Sequence, residues 1–271
     1  MWWTSPIVLS LGLTINLTVV RYLSLLSLLL IIACGPASQN ASTQKDANPA
    51  YEGFNLAGSD EKAIAIADQA MEAMGGRAAW DATRYLEWNF FGARKLTWDK
   101  LEKQVRIEIP RDSMILLTNY ETGKGRAMAG SNEITDADTL AKLMIRAKNI
   151  WINDSYWLVM PFKLKDSGVT LNYIGADSTH LGEASDVLSL TFEAVGVTPQ
   201  NKYHVWVSQA DHLVKQWAYF PNASDDTARI TTPWVDYQAH GDILLSANRG
   251  ERGLSEVAVY KELDEAVFKE F

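Results

Sequence analysis

Short stretches in which apolar and polar side chains alternate constrain the fold of this chain more than any other feature. Leu86, Trp88 and Phe90, for example, alternate with Glu87 and Asn89. Successive side chains of a strand point to opposite faces, so such stretches are typical of half-buried β-strands. Further strands are expected over residues 105–109, 169–174, 187–192, 203–207, 213–220, 229–237, 243–247 and 255–260. The pattern predicts a mainly β fold with some α-helix, a curved antiparallel sheet or open β-barrel covered by helices.

One amphipathic helix is predicted before these strands. Ser59 is a suitable N-cap, Asp60 and Glu61 place acidic groups in the first turn, and Gly75-Gly76 ends the segment. One face of this helix carries apolar residues at helical spacing, namely Ile64, Ala67, Met71 and Met74. The helix is therefore expected to pack on the sheet.

A second helical region interrupts the strands between residues 136 and 162. Apolar residues recur at helical spacing up to Trp151, and Asn153-Asp154 then predicts a fresh N-cap. A separate aromatic helix carrying Tyr156, Trp157 and Met160 is expected to follow and to end near Pro161.

The N-terminal region predicts an exported protein. Arg21 precedes an apolar run over residues 22–32, which is too short for a membrane span and is typical of the core of a signal peptide. Residues 1–19 are uncharged, which indicates either a misassigned upstream start, with translation beginning at Val20, or a real N-terminal membrane helix.

The run ends in Ile31-Ile32-Ala33-Cys34, which resembles the lipobox of bacterial lipoproteins. The resemblance implies that residues 1–33 are removed and that Cys34 is lipidated, which would attach the protein to a membrane. Gly35 rather than aspartate follows the cysteine, which by resemblance to lipoprotein sorting permits transfer to the outer membrane of a diderm cell, facing the periplasm or the cell surface. A buried free cysteine is the alternative interpretation of Cys34.

The remaining chain divides into a tether and one domain. Residues 34–58 are rich in Ser, Asn, Gln and Ala and contain few large apolar groups, so they predict a flexible tether. Residues 59–271 are long enough for a single β-rich domain with a sizeable core.

Helix, strands, helical insertion and further strands together resemble the LolA and LolB lipoprotein carriers, over roughly residues 60–262. The most similar segments are 203–207 with 213–219, and Trp234-Val235-Asp236-Tyr237 before residues 241–245. The resemblance implies an open, curved sheet whose concave face is covered by helices and binds acyl chains. Residues 75–81, 84–92, 98–100 and 151–157 are also similar to an uncharacterised family of secreted bacterial proteins.

Charge and motif content disfavour several classes of protein. With 25 basic against 33 acidic residues and a net charge of −8, the chain offers no basic surface for nucleic acid. Catalytic serine motifs, phosphate-binding loops and dinucleotide fingerprints do not occur in it. A single cysteine and four isolated histidines provide no metal-ligand spacing, so no metal and no cofactor are expected.

A charged cluster is the one candidate for catalysis. It comprises Arg84, Glu87, Asn89, Arg94, Asp99 and Lys100. A carboxylate held between arginines can act as an acid or base, which makes Glu87 and Asp99 weak catalytic candidates. Cross-strand ion pairing is the simpler interpretation, and an enzyme, for example a hydrolase, is the less favoured class.

The aromatic residues favour a binding protein instead. A curved sheet with an aromatic helix across its mouth can enclose an apolar cavity. The candidate lining residues are Trp88, Phe90, Trp98, Met144, Trp157 and Met160. The leading hypothesis is a membrane-anchored lipoprotein that binds or carries a lipid or another apolar ligand between sheet and helices. The alternative is a structural or interaction lipoprotein of the cell envelope, with a filled core and an envelope protein as partner.

Overall fold

The computed structural model describes residues 46–193 and 196–271. Three α-helices are present in these residues, namely α1 (Glu61–Ala73), α2 (Gly76–Ala82) and α3 (Ala137–Val159). The first strands along the chain are β1 (Tyr85–Phe90), β2 (Arg94–Asp99), β3 (Gln104–Ile109), β4 (Met114–Asn119), β5 (Gly125–Ala129) and β6 (Asn132–Glu133). After α3 come β7 (Val169–Ser178), β8 (Ala184–Phe192), β9 (Lys202–Ser208), β10 (Val214–Phe220) and β11 (Ile230–Pro233). The last strands are β12 (Val235–His240), β13 (Ile243–Arg249), β14 (Arg252–Gly253) and β15 (Ser255–Tyr260).

The strands form three antiparallel sheets. The largest has seven strands in the order β15-β1-β2-β3-β4-β5-β6, so the last strand of the chain pairs with the first. The second has five strands in the order β11-β10-β9-β8-β7, and the third has the order β12-β13-β14. None of these sheets, in the described part of the chain, closes into a barrel. The predicted class, a mainly β protein with open antiparallel sheet and covering helices, is therefore confirmed.

Each of the two larger sheets has its own hydrophobic core. In the first core, Leu86 and Trp88 of β1 pack with Met144 and Ala147 of α3. In the second, α1 and the turn after α3 cover the five-stranded sheet, with Ala67 of α1 among its buried residues. The alternation seen in the sequence thus decides which face of each strand is covered.

The helix α3 differs from the prediction of two helices with a cap at Asn153-Asp154. It runs without interruption from Ala137 to Val159, with Asp136 as its N-cap. Asp154 is fully buried, and its carboxylate accepts two hydrogen bonds from Arg94 of β2. A residue typical of caps thus continues the helix because its side chain has a distant partner.

The N-terminal part of α1 also differs in detail. Asp60, not Ser59, occupies the N-cap position. The hydroxyl of Ser59 instead accepts a hydrogen bond from the backbone N–H of Leu171 at 2.9 Å, which joins this segment to β7.

Residues 46–58, which the sequence assigns to the tether, contact the domain. Asn48 is buried and donates a hydrogen bond to Asp68 at 2.7 Å, and the backbone N–H groups of Tyr51 and Asn55 donate to carbonyl groups of residues 165 and 169. The domain boundary therefore lies before residue 58. Residues 46–271 form one compact unit that contains both cores, and the predicted signal peptide, Cys34 and the rest of the tether lie outside the described residues.

Gly75, between α1 and α2, lies against the start of β13 and has a positive φ of 112°. A Cβ atom at this position would collide with the backbone oxygen of Asp242. We expect Gly75→Ala to lower the free energy of unfolding by at least about 2 kcal/mol, because backbone strain and overpacking add. Gly123→Ala is the control, since Gly123 also has a positive φ but open space around it. Equal losses for the two variants in urea unfolding would contradict the importance of this close approach.

Candidate functional site

The six residues predicted to line a cavity lie in the cores. Trp88 and Met160 are 0% exposed, and Phe90, Trp98 and Met144 are also buried. Met160 belongs to the second core and the other four to the first, so the structure does not bring all six together. Only Trp157 among them borders an opening to solvent. The space between the seven-stranded sheet and α3 is thus filled by the side chains that alternation placed there.

An opening lies instead between α3 and the strands β8, β9 and β10. It has a volume of about 260 Å³. Its aromatic lining residues are Tyr156, Trp157, Phe192, Tyr203 and Trp217. Asn149, Ile152 and Asn153 of α3 complete one wall, and residues 196–198 form another part of the rim. We call this opening the aromatic groove.

The rings of the aromatic groove contact one another. Trp157 meets Trp217 edge to face, with ring centroids 4.5 Å apart, and Trp217 stacks on Tyr203 at 5.2 Å. Tyr156 lies 5.4 Å from Tyr203, and Phe192 lies 5.4 Å from the same ring. Such pairs favour particular ring orientations, so the lining forms one connected aromatic cluster.

Two polar atoms in this lining have no hydrogen-bond partner among the described residues. They are the hydroxyl of Tyr156 and the indole Nε1 of Trp217, both shielded from solvent. Burial raises the pKa of Tyr156 well above its usual value, so the hydroxyl keeps its proton. Buried polar atoms without partners are rare in proteins and call for a ligand or water. The groove therefore combines an apolar lining with two residues whose polar atoms are shielded and lack a partner.

A second hollow of about 210 Å³ adjoins the groove and shares Ile152, Tyr156, Phe192 and Gly196 with it. Its far side is bordered by Trp151 and by the segment 163–169. An elongated ligand could thus extend along the side of α3.

The charged cluster does not converge on a cleft. Asp99 is buried, and its carboxylate accepts hydrogen bonds from the Arg84 guanidinium and from backbone N–H groups of the following turn. Glu87 is bound by Lys95, Thr97 and Tyr260 on the outer face of the sheet. Neither carboxylate borders the aromatic groove or the adjoining hollow. The geometry supports the interpretation as cross-strand ion pairs.

Arg94 differs from the rest of the charged cluster because it contacts α3. Its Nε donates to Asp154 at 2.7 Å, and its terminal nitrogen donates to the same carboxylate at 2.9 Å. Burial raises the pKa of Asp154, although the hydrogen bonds from Arg94 and Asn153 act in the opposite direction. This pair joins the seven-stranded sheet to α3 close to the groove residue Asn153.

The sequence analysis identified Trp157 but missed Tyr156, Phe192, Tyr203 and Trp217 as lining residues. Alternation along β9 and β10 places Tyr203 and Trp217 on the covered face, which is the signal that could have suggested them. Among the described residues, no group of three His, Cys, Asp or Glu side chains is arranged to hold a metal ion. No helix in residues 46–193 and 196–271 combines the length and apolar character that crossing a bilayer demands.

Comparison with known proteins gives similarities in structure alone. No protein-family model matches the chain, and no curated protein matches it. A DUF1329 family protein from Desulfovibrio piger is 15% identical with a TM-score of 0.43, covering 78% of this chain and 98% of that chain.

Two further solved structures are similar to this chain over most of their length. A putative outer membrane lipoprotein-sorting protein domain from Vibrio parahaemolyticus is 11% identical with a TM-score of 0.38, covering 78% of this chain and 97% of that one. A LolA superfamily protein from Nitrosomonas europaea is 12% identical with a TM-score of 0.35, over 76% and 96% of the two chains.

Proposed function

We propose that this protein binds a lipid or another elongated apolar molecule in the aromatic groove between α3 and the strands β8–β10. The observation that supports the proposal is the groove itself, an opening with a lining of packed aromatic rings and two buried polar atoms that have no partner in the described chain. Ligand sites in proteins are typically concave and mostly apolar, with a few oriented polar groups. The adjoining hollow extends the same apolar surface.

We propose further that the protein acts at a membrane surface. Lipid on Cys34 would anchor it in the cell envelope, and the residues between Cys34 and the domain would give it reach. Two or three acyl chains provide stable anchoring, since each buried methylene contributes about 0.8 kcal/mol. In this arrangement the groove takes an apolar molecule from, or returns it to, the membrane that holds the protein.

A charge placed in the groove tests this proposal. Ile152 borders both the aromatic groove and the adjoining hollow. Ile152→Lys should weaken binding of a dansyl-labelled fatty acid to residues 46–271 by at least about tenfold, because the ligand would have to bury apolar surface against an ammonium group. Binding is measured by energy transfer from tryptophan to the dansyl group.

Ile145→Lys is the matched control. Ile145 lies on the same helix, is 63% exposed and borders neither the aromatic groove nor the adjoining hollow. The Ile145→Lys variant should bind the probe as the unchanged protein does. If neither variant alters binding, or if the unchanged protein does not bind the probe, the groove is not the ligand site.

One observation favours the alternative of an interaction module. The interior beneath the seven-stranded sheet is filled, with Trp88, Leu96 and Ile107 completely buried. A filled interior makes this part of the domain a rigid body suited to contact with another envelope protein. If native mass spectrometry shows that the purified protein retains no lipid, and the protein also fails to bind the probe, the function as an interaction module is favoured.

A further inference from the structure

A separate crevice of about 570 Å³ lies between β11 and the β13–β14 hairpin. Thr232 of β11 and Arg249 with residues 250–252 of the hairpin border it, and Trp157 and Phe91 complete its lining. Trp157 is the one residue that borders both this crevice and the aromatic groove. Apart from Trp157, the crevice is therefore lined by residues that do not border the groove.

Arg249 is the unusual residue of the crevice, because its guanidinium is buried, with 3% of the residue exposed. One terminal nitrogen donates to Ser246 Oγ at 2.9 Å and to the carbonyl oxygen of Asn248 at 2.7 Å. The other donates to the carbonyl oxygens of Trp157 at 2.6 Å and Ser246 at 3.0 Å. The guanidinium carbon lies 3.3 Å from the centre of the Trp234 ring. These contacts hold the side chain in one orientation and use its four terminal N–H groups.

The Nε–H group of Arg249 takes no part in these contacts. Within residues 46–193 and 196–271 it has no hydrogen-bond partner, and the hydrogen bonds of this guanidinium go to hydroxyl and carbonyl oxygens, not to a carboxylate. Burial lowers the pKa of Arg249 to about 9, so the group remains charged at neutral pH. A buried cation without a carboxylate is costly, and a bound anion would offset that cost.

Thr232 gives an independent indication at the same crevice. Its hydroxyl is shielded from solvent and has no hydrogen-bond partner among the described residues. Two shielded donors without an acceptor, on two residues that border one opening, are what an oxygen anion requires. Arg252 adds a second cation to the rim, whereas Glu251 adds an opposing carboxylate.

We propose that this crevice binds an oxyanion, a carboxylate or a phosphate, through the Nε–H of Arg249 and the hydroxyl of Thr232. The anion is either the head of an amphiphile or free phosphate, and the chemistry of recognition is the same for both. The site does not depend on the aromatic groove, so each can fail alone.

The test compares dodecyl phosphate, dodecanol and inorganic phosphate by isothermal titration calorimetry with residues 46–271. Thr232→Val should weaken binding of the phosphate-bearing ligand about tenfold, because a hydrogen bond to a charged group is lost. It should leave dodecanol binding unchanged. Glu251→Gln should tighten binding of the same ligand on the order of threefold, because a repelling charge is removed.

Thr191→Val on β8 is the matched control, since Thr191 borders none of the openings described and should bind as the unchanged protein does. Arg249→Lys keeps the charge but loses the planar donor group. If this variant folds, it should also weaken binding of the anion. Tighter binding of dodecyl phosphate than of both other ligands supports an amphiphile head group. Equal binding of phosphate and dodecyl phosphate supports a site for the free anion.

Two results would overturn the proposal. One is equal binding of dodecanol and dodecyl phosphate with no binding of inorganic phosphate, which would leave the aromatic groove in place without an anion site. The other is an unchanged phosphate affinity in Thr232→Val and Glu251→Gln. Binding of phosphate without any binding of dodecanol would instead contradict the groove and leave the anion site.

Discussion

Arg94→Met is expected to lower the free energy of unfolding by about 3–5 kcal/mol at neutral pH, because it leaves the carboxylate of Asp154 buried without its cation. Asp154 is 0% exposed, whereas Arg94 retains some contact with solvent, so removal of the arginine is the more damaging of the two single changes. A loss of this size is a large share of the stability of a typical domain. Urea unfolding followed by tryptophan fluorescence measures it.

The pH dependence of this variant has a definite sign. In the folded variant the pKa of Asp154 lies above its unfolded value, since burial already raises it in the presence of Arg94. The unfolded state then binds fewer protons than the folded state in this pH window, so stability falls as the pH rises through it. The loss of unfolding free energy caused by Arg94→Met should therefore be smaller at acidic pH than at neutral pH.

Two controls separate the buried pair from general effects. The double variant Arg94→Met with Asp154→Leu should recover most of the loss, because both charges are then absent. Arg146→Met removes a cation from the exposed pair with Asp112 and should cost less than about 1 kcal/mol. Equal losses for Arg94→Met and Arg146→Met would contradict the role assigned to the buried pair.

The local alternation of apolar and polar side chains predicted much of the fold. The face formed by Leu86, Trp88 and Phe90 is the covered face of β1, and the strand predicted over residues 255–260 coincides with β15. Side chains of a strand point alternately to its two faces, so a local pattern suffices for such assignments. The pairing of β1 with β15 brings together residues far apart in the sequence, and no local pattern carries that information.

The boundary predicted inside α3 was wrong for the same physical reason. Asn153-Asp154 has the composition of an N-cap, but the carboxylate of Asp154 is satisfied by Arg94, whose sequence position is 60 residues away. A partner at that separation is visible only after folding. The single break predicted from local propensity was therefore overridden by a tertiary contact.

The binding site was only partly predictable. Alternation identified Trp88 as a covered residue, yet it cannot tell whether the covered volume is filled or open. Here Trp98 meets Trp151 of α3 with ring centroids 5.5 Å apart, so the predicted cavity is occupied by side chains. Trp157 was identified because it lies in the aromatic part of α3. Arg249 gave no signal, since Asn248-Arg249-Gly250 has the composition of an exposed turn.

Cys34→Ser is expected to have the largest effect on the protein in the cell. In the pathway that the lipobox Ile31-Ile32-Ala33-Cys34 resembles, acylation of the thiol precedes cleavage, so a serine at this position leaves an unlipidated and uncleaved precursor. Without acyl chains, the stable hydrophobic anchor proposed for the domain is lost. Labelling with a radioactive fatty acid, combined with the apparent mass on a gel, measures both steps at once.

Ser38→Ala is the matched control, since Ser38 lies in the same segment after the cysteine but outside the lipobox. This variant should be acylated and cleaved as the unchanged protein is. Acylated, mature-sized protein from Cys34→Ser would show that Cys34 is not the lipidated residue. In that case the groove between α3 and β8–β10 would still bind its ligand in the probe assay, because residues 46–271 form a compact unit that does not include the lipobox.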